Sequence, residues 1–437
     1  MFEQKSWTAA VMLLAALSVA ACSGKKVLPK GDRISVLQEI SAIKPEVANA
    51  ESMISIPPTT KNNEWLQTDY NVQHTGANFG VGTSFKKQWK ADFGTGSSKR
   101  EVLLSKPIIS EKTVYTLDAD ATLSAFNLAD GKKLWSVDLL SDNRNVGDTS
   151  LKGIGLALSG NAIYVTTGFG EVIAVNTKDG KQIWRNNLKT PLRIAPLIAG
   201  NKVFVQSVDN RFYALSIKNG EIIWDYDIAM ESTTIVGGAV AAYNKAMDMV
   251  VTGFSNGEIQ AFSASIGTPL WSDILIANRQ AYSSTFLHTI KASPVTEGET
   301  VYALGSSDVL AALDMRTGSR KWEKEIGGIN TPLLVADTLY VVTDTGNLTA
   351  VNKKNGNILW SATIDFGEKS DVAAFAPLML NDRIVVALSN GRVNTYDPKS
   401  GKQMSSIELD ENLNSSPVIA DGYILFVTSN AKILAYK

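Results

Sequence analysis

The amino-acid sequence predicts an all-β protein, an eight-bladed β-propeller whose ring is closed by an N-terminal strand that completes the last blade. Three observations predict this fold. One unit of strands and turns recurs through residues 85–437, its marker glycines are spaced for four-stranded blades, and the C-terminus supplies only three strands of the final unit. The chain has 437 residues, 44% of them hydrophobic, which is ample for a large core but long for one ordinary domain.

The first 21 residues have the features of an export signal. A charged start is followed by an apolar run and by the small residues Ala20 and Ala21. The next residue, Cys22, is the only cysteine, so it has no disulfide partner, and its surroundings resemble a bacterial lipobox. We expect a signal peptide over residues 1–21 and lipid on Cys22, since several acyl chains anchor a protein stably. Ser23 in place of Asp favours the outer membrane, and the alternative is ordinary cleavage with an unmodified cysteine.

Residues 22–60 are predicted to form the lipidated N-terminus and a flexible tether. They carry Lys, Pro and Ser with little periodicity, which is typical of a linker. A short amphipathic segment near residues 34–43 is the alternative for part of this stretch. The propeller is expected to occupy residues 61–437, and no further membrane-spanning candidate appears in that range.

Six of the seven copies of the repeat have a tryptophan four residues after a glycine. The glycines are 38 to 51 residues apart, which suits one four-stranded blade per copy. A large ring at one fixed place in each blade favours core packing over ligand stacking. We therefore predict that these rings dock neighbouring blades, and that the seventh copy, with Ser405 in this place, makes a weaker interface. The predicted docking residues are Trp89, Trp135, Trp184, Trp224, Trp271, Trp322 and Trp360.

The closing strand is predicted from the two ends of the repeat array. The C-terminal sequence from Ser415 to Lys437 contains three strands of an eighth unit and then stops. Residues 84–92, which include Trp89, have the pattern of the last strand of a unit without the three strands that precede it. Pairing these two segments closes the ring and removes the free sheet edges of an open array.

Composition and motifs argue against catalysis, metal binding and nucleic-acid binding. Lys plus Arg total 42 against 43 for Asp plus Glu, so no net field attracts a polyanion. The two histidines, His74 and His288, are far apart and lack partners at metal-ligand spacing. No phosphate-binding loop or nucleophile elbow is present. We expect no catalytic residues, no metal, and no cofactor beyond covalent lipid on Cys22.

The repeat resembles that of the quinoprotein (PQQ-type) propellers over residues 85–437. With the lipobox, the tether and the segments Trp65–His74, Gly94–Ser98 and Gly253–Glu258, the whole chain resembles the propeller lipoproteins of the outer-membrane β-barrel assembly machinery. Quinoprotein dehydrogenases carry a vicinal pair of cysteines, which a chain with one cysteine does not have. The resemblance implies a non-enzymatic scaffold at the periplasmic face of the outer membrane, monomeric within a hetero-complex.

The resemblance also implies a partner site. In that family a loop with a Leu-Arg pair contacts the POTRA domains of the barrel-forming subunit, and here Leu192, Arg193 and Ile194 occupy the matching place. The alternative is that Leu192 packs inward and Arg193 is merely solvated. A second family contact, an Asp-x-Asp pair before a strand-opening proline, is missing here, because residues 289–291 are Thr-Ile-Lys.

Unfolded outer-membrane proteins are a further expected partner, held by strand addition at exposed edges. Two other functions stay open. One is a periplasmic propeller that binds PQQ or another ligand in its central channel, and a bound cofactor would identify it. The other is an envelope-structural lipoprotein without an assembly role, which only its partners would distinguish.

Overall fold

The computed structural model describes residues 43–82, 84–98, 102–140, 152–229, 236–277, 288–368 and 371–437. In these ranges the chain forms 33 strands and one 3₁₀ helix, Ala50–Met53. Residues 44–437 make one compact unit.

The strands form eight sheets, and each sheet is one blade. The first two strands are β1 (Asn78–Phe79) and β2 (Lys87–Asp92). Blade one contains β3 (Ile108–Ser110), β4 (Thr113–Leu117), β5 (Thr122–Asn127) and β6 (Lys133–Asp138); blade two contains β7 (Gly153–Ser159), β8 (Ala162–Thr167), β9 (Glu171–Asn176) and β10 (Gln182–Asn187). Blade three contains β11 (Leu197–Ala199), β12 (Lys202–Gln206), β13 (Arg211–Ser216) and β14 (Ile222–Asp227); blade four contains β15 (Ala242–Asn244), β16 (Met249–Gly253), β17 (Glu258–Ser263) and β18 (Pro269–Ile274).

The second half of the ring continues in the same way. Blade five contains β19 (Val295–Glu297), β20 (Thr300–Gly305), β21 (Val309–Asp314) and β22 (Arg320–Lys324); blade six contains β23 (Leu333–Val335), β24 (Thr338–Val342), β25 (Asn347–Asn352) and β26 (Ile358–Thr363). Blade seven contains β27 (Leu378–Leu380), β28 (Arg383–Ala387), β29 (Arg392–Tyr396) and β30 (Gln403–Glu408); blade eight contains β31 (Val418–Ala420), β32 (Tyr423–Val427) and β33 (Lys432–Tyr436), with β2 as its fourth strand.

The four strands of each blade are antiparallel, and in blades one to seven they follow one another in chain order from the first to the fourth. The two middle strands are buried on both faces, which is why they are almost wholly apolar, whereas the fourth strand alternates between exposed and buried residues. In six blades a proline stands directly before the first strand, where its missing N–H costs no ladder bond. These prolines are Pro107, Pro196, Pro294, Pro332, Pro377 and Pro417.

The predicted ring closure is confirmed, and so is the number of blades. Strand β2 pairs antiparallel with β33, with Trp89 opposite Ala435 and Asp92 opposite Lys432. The fourth strand of blade eight thus comes from the start of the chain, as the sequence predicts. A feature not predicted is that β1 adds a fifth, parallel strand to the first strand of blade seven.

Part of the predicted tether packs on the propeller. The backbone N–H of Glu46 donates to Ile358 O and its carboxylate accepts from Ile358 N, each at 2.9 Å, along the outer strand of blade six. Val47, Ala50 and Ile54 join the apolar cluster of that blade. The reason is the spacing of these three apolar residues, which gives the segment one apolar side; within residues 22–60, the part from Glu46 to Ile54 is therefore not a free linker.

Candidate functional site

The predicted docking tryptophans each lie between two successive blades. In every one of the seven, the indole Nε1–H donates to a backbone carbonyl oxygen of the next blade at 2.8 to 3.1 Å. The ring packs over the turn glycine of that blade; a Cβ on Gly131, for example, would lie 2.5 Å from the Trp89 ring, and its φ of +70° also favours glycine. Each tryptophan faces an alanine on its own third strand, which leaves room for the ring.

A second ring of contacts comes from residues 60–80, here called the collar. The collar follows the first strands of the blades in ring order, from Asn62 at blade eight to Asn78 and Phe79 at blade seven. Thr60 and Phe79 then form a parallel bridge, so the collar meets its own start. No apolar periodicity marks this segment, and most of its bonds are made by backbone groups, so its path could not be predicted from the residue types.

The collar bonds to all eight blades. Because the first strand of each blade has its other edge paired with the second strand, these bonds use an edge that would otherwise lack partners. The bonds are Asn62 Nδ2 to Ile419 O (2.6 Å), Trp65 N to Ile109 O and Ile109 N to Trp65 O (both 2.8 Å), Leu158 N to Leu66 O (2.9 Å), Gln67 Nε2 to Ile198 O (2.9 Å), Tyr243 N to Val72 O (2.7 Å), Thr296 N to Gln73 O (2.9 Å), Gly76 N to Leu334 O (2.9 Å) and Asn381 N to Phe79 O (3.0 Å).

Asp69 of the collar lies in a cavity of about 230 Å³, lined also by residues that directly precede the first strands. Its carboxylate accepts from Lys106 Nζ at 2.9 Å, from Ser293 Oγ at 2.7 Å and from Thr331 Oγ1 at 3.1 Å. Burial alone would raise the pKa of Asp69, but the charge of Lys106 and these hydrogen bonds outweigh it and hold that pKa well below its usual range. The residue therefore stays ionised and ties the collar to blades one, five and six.

His74 is the second buried titratable residue of the collar. Its Nδ1 lies 2.8 Å from Pro294 O, and because a carbonyl oxygen only accepts, Nδ1 carries the proton. The other ring nitrogen, Nε2, is buried without a hydrogen-bond partner among the described residues. Burial lowers the pKa of His74, more than neighbouring Asp69 raises it. The imidazole is thus neutral at neutral pH and serves as a hydrogen-bond donor to blade five.

The cavity is lined by more cations than anions. Arg193 and Lys291 stand in it together with the Asp69–Lys106 pair, and burial lowers the pKa of Arg193 to about 10 and that of Lys291 below its usual value. Such a lining favours a small anion over a cation. In the described ranges no group of three or more His, Cys, Asp or Glu is arranged to hold a metal ion.

The predicted partner residues Leu192, Arg193 and Ile194 lie inside the propeller wall. Leu192 is 0% exposed and packs in the apolar cluster between blades two and three, and Ile194 packs between blades three and four. Arg193 is 5% exposed and its Nε and Nη2 donate to Gly237 O at 2.9 and 2.8 Å. The structure thus places Leu192 inward, as the alternative had it, while Arg193 lines the cavity. Contact of these residues with a partner stays a prediction.

In five blades the outer strand carries an apolar residue directly before the tryptophan. In blades one to four this residue is Leu134, Ile183, Ile223 or Leu270, each between 44 and 52% exposed. In blade six it is Leu359, which is 1% exposed because the chain's own residues 46–54 cover it. In blade six, a segment that includes the 3₁₀ helix Ala50–Met53 therefore covers the apolar residue that the outer strands of blades one to four expose.

Two further points concern the membrane. Cys22, the predicted lipid-attachment residue, lies outside the described residues. Among the residues that the structure describes, none belongs to a helix with the length and apolarity needed to cross a bilayer.

Comparisons with known proteins agree with this architecture. The family model described as outer membrane protein assembly factor BamB matches residues 84–152 and 119–362. The BamB proteins of Yersinia pestis and Escherichia coli strain K12 are both 25% identical to this chain, over 80 and 79% of it and 88 and 87% of their own lengths. Both relatives are described as outer membrane protein assembly factors.

Solved structures show the same fold. The crystal structure of BamB from Moraxella catarrhalis superimposes with a TM-score of 0.68 and 18% identity, covering 81% of this chain and 99% of that one. The quinohemoprotein alcohol dehydrogenase of Comamonas testosteroni gives a TM-score of 0.66 at 11% identity, covering 86 and 81%. At these identities the likeness concerns the eight-bladed propeller alone.

Proposed function

The chain belongs to the family of the outer membrane protein assembly factor BamB, and from this premise we propose that it is a non-enzymatic scaffold lipoprotein of the outer-membrane assembly machinery. It docks the POTRA-bearing barrel subunit and aids the insertion of β-barrel proteins. The family match, which extends through six blades, is the observation that carries the assembly role. The docking of the barrel subunit and the help given to client proteins go beyond what the family match supports.

The collar supports a role for the outer surface over the interior. It bonds to the first strand of every blade, so residues 60–80 occupy one level of the central channel. A folded or extended protein partner therefore has the rim loops and the outer strands available to it. A rigid ring with repeated edges suits a platform on which several polypeptides are held at once.

The outer strands supply a surface for client segments. Glu46 already forms two backbone-directed hydrogen bonds with Ile358, while Val47 and Ile54 cover Leu359. The equivalent residues of blades one to four are exposed, so the free edges of these outer strands are available for strand addition by an unfolded β-barrel protein. Strands of such clients alternate apolar and polar residues, which matches the exposed apolar side chain on the outer strand of each of blades one to four.

For the barrel subunit, we place the contact on the loop that Leu192 anchors. Leu188 to Pro191 precede the buried residues, and within this loop the side chains of Lys189 and Pro191 are exposed. Leu192 and Ile194 hold the loop from inside through their packing, and Arg193 through its bonds to Gly237. In this proposal, Leu192, Arg193 and Ile194 support the contact surface from inside the propeller wall.

The test is co-purification with the barrel subunit from gently solubilised membranes. Lys189→Glu combined with Pro191→Ser is expected to lower recovery at least fivefold, with an unchanged melting temperature, because both side chains are exposed. Lys218→Glu, the same charge reversal at an exposed turn of blade three, is the matched control and should not change recovery. Equal recovery of all three proteins would overturn the assigned loop, and absence of the barrel subunit from every sample would overturn the docking role.

Lipid attachment at Cys22 anchors the scaffold in this proposal. Cys22→Ala should leave an uncleaved or unlipidated protein that no longer incorporates labelled palmitate and no longer sediments with outer membranes. Ser23→Ala, one residue on, is the control that keeps the cysteine. Palmitate labelling of the Cys22→Ala protein equal to that of the wild type would contradict the anchor.

A further inference from the structure

One of the eight blade junctions lacks the tryptophan. At the junction of blades seven and eight, Ser405 occupies the place of the indole, and it faces Thr395 where every other blade has alanine. The two hydroxyl groups bond to each other at 2.7 Å. A pair of small polar side chains thus stands where an indole and an alanine stand in the other blades.

The receiving side of this junction is also different. At the other seven junctions the ring packs over a glycine in the turn between the third and fourth strands of the next blade. In blade eight those two strands come from opposite ends of the chain, so no continuous turn joins them. The ends are held by hydrogen bonds, since Lys86 N and Ser84 Oγ both donate to Lys437 O, at 2.9 and 2.7 Å.

A cavity of about 310 Å³ lies at this junction. Val385, Val393 and Ile407 of blade seven line it from one side, and Ile424 and Phe426 of blade eight from the other. The aromatic ring of Phe85 forms a further wall, stacked on Tyr436 with ring centroids 4.7 Å apart. The lining is mostly apolar, and its volume falls within the range of small-molecule and side-chain pockets.

Arg383 adds a cation at the same cavity. Its side chain is exposed, and in the ranges that the structure describes its guanidinium makes no hydrogen bond or ion pair. A guanidinium beside a site of this size binds well over the face of an electron-rich ring, and indole is the best of the protein rings for this contact. Apolar walls, one aromatic wall and an available cation together select a planar aromatic group.

We propose that this cavity binds the indole side chain of a tryptophan carried by a partner protein, which takes the place that the chain's own tryptophans fill at the other seven junctions. Seven equivalent positions of the repeat show which group fits between two blades, and the eighth offers the space without the group. This site lies away from the loop at Lys189, and it does not depend on the identity of the barrel subunit.

The probe is N-acetyl-tryptophanamide, added to the full-length protein with isotope-labelled Ile and Val methyl groups. The methyl signals of Val385, Val393, Ile407 and Ile424 are expected to shift and to saturate at about millimolar probe, as befits one buried side chain without a preorganised partner. N-acetyl-alaninamide should shift none of them. If the tryptophan probe moves no signal at this junction, the proposal is wrong.

Ser405→Trp supplies the ring from within and is the decisive variant. It is expected to abolish the shifts and to raise the melting temperature, because it fills the cavity with the group that the repeat uses. Ser406→Trp places the same side chain one residue on, on the opposite face of β30, and should do neither. Probe binding by Ser405→Trp equal to that of the wild type would overturn the assignment.

Two additions keep the test decisive. Should Ser405→Trp fail to fold, Ser405→Leu narrows the same cavity with a smaller side chain and should weaken probe binding at least threefold. Sedimentation of the wild type checks the occupant: a dimer that Ser405→Trp disperses would identify the occupant as a second copy of this chain and would overturn the assignment to a partner protein.

Discussion

Single residues fix the junctions between blades through three features that act together. The indole needs an acceptor on the next blade, a glycine beneath it and an alanine beside it, and all seven tryptophans have all three. The glycine and tryptophan could be predicted from their constant spacing in the sequence. The alanine was visible too, but its role as room for the ring required the strand register, which spacing alone does not give.

His74 makes the stability of the propeller sensitive to mild acid. Burial lowers the pKa of His74 in the folded protein. At a pH between this lowered pKa and the ordinary value of about 6.5, the unfolded chain therefore binds more protons than the folded one. Stability is therefore full above about pH 6.5 and falls as the pH drops through that window. The pKa of Asp69, which faces His74 together with Lys106, is lowered instead, so its contribution is lost only below about pH 4.

His74→Asn is expected to remove this acid sensitivity. Asn tolerates the left-handed backbone at this position, where φ is 59°, and does not titrate. The free energy of unfolding, measured by denaturant at pH 7.5 and pH 5.5, should differ less between the two pH values in the variant than in the wild type. An equal difference in both proteins would show that His74 is not the titrating group. His288 is retained in both and serves as the internal control.

At the scale of elements, the collar depends on one buried ion pair. The Asp69 and Lys106 side chains are only 10 and 19% exposed, so loss of one partner leaves a charge with little water to solvate it. Asp69→Asn is expected to lower the free energy of unfolding by about 3 kcal/mol. Lys106→Met in the Asp69→Asn background should cost much less than in the wild type, because the uncompensated ammonium is then removed.

A matched control is the exposed pair of Asp179 and Lys181, which lies in a turn of blade two. Asp179→Asn should leave the denaturation midpoint unchanged, since exposed ion pairs contribute little. Additive effects of Asp69→Asn and Lys106→Met, measured in a double-mutant cycle, would contradict the coupling. A midpoint for Asp69→Asn equal to that of Asp179→Asn would contradict the role of the pair altogether.

The strands and the closing strand followed from the sequence, whereas the collar and the covering of blade six did not. Strand pairs leave a periodic trace of apolar residues, and Trp89 marked β2 as a fourth strand. The collar bonds mainly through backbone groups such as Leu66 O and Val72 O, which every residue possesses, so its path has no residue-type signature. The sequence left open whether Leu192 packs inward or faces a partner, because its burial depends on the blade that follows it and not on its own loop.

At the scale of the whole molecule, two closures hold the ring. Strand β2 joins the ends of the chain within blade eight, and the collar links the first strands of all blades on the channel side. The first closure makes the blades a continuous circle. The collar connects blades that are not neighbours. The single residue Asp69, for example, bonds to residues that precede the first strands of blades one, five and six. The collar is therefore expected to open as one unit.

Hydrogen exchange of backbone amides tests this cooperativity. Four backbone N–H groups, each in a different blade, donate to carbonyl oxygens of the collar; they belong to Ile109, Leu158, Tyr243 and Thr296. If the collar is one cooperative unit, Asp69→Asn should accelerate exchange at all four amides by a similar factor, about tenfold or more, because each loses protection in the same opening. The amide of Ile358, which bonds to Glu46 outside the collar, should keep its rate. Acceleration restricted to Ile109 and Thr296, whose blades Asp69 contacts directly, would show instead that each blade holds its part of the collar independently.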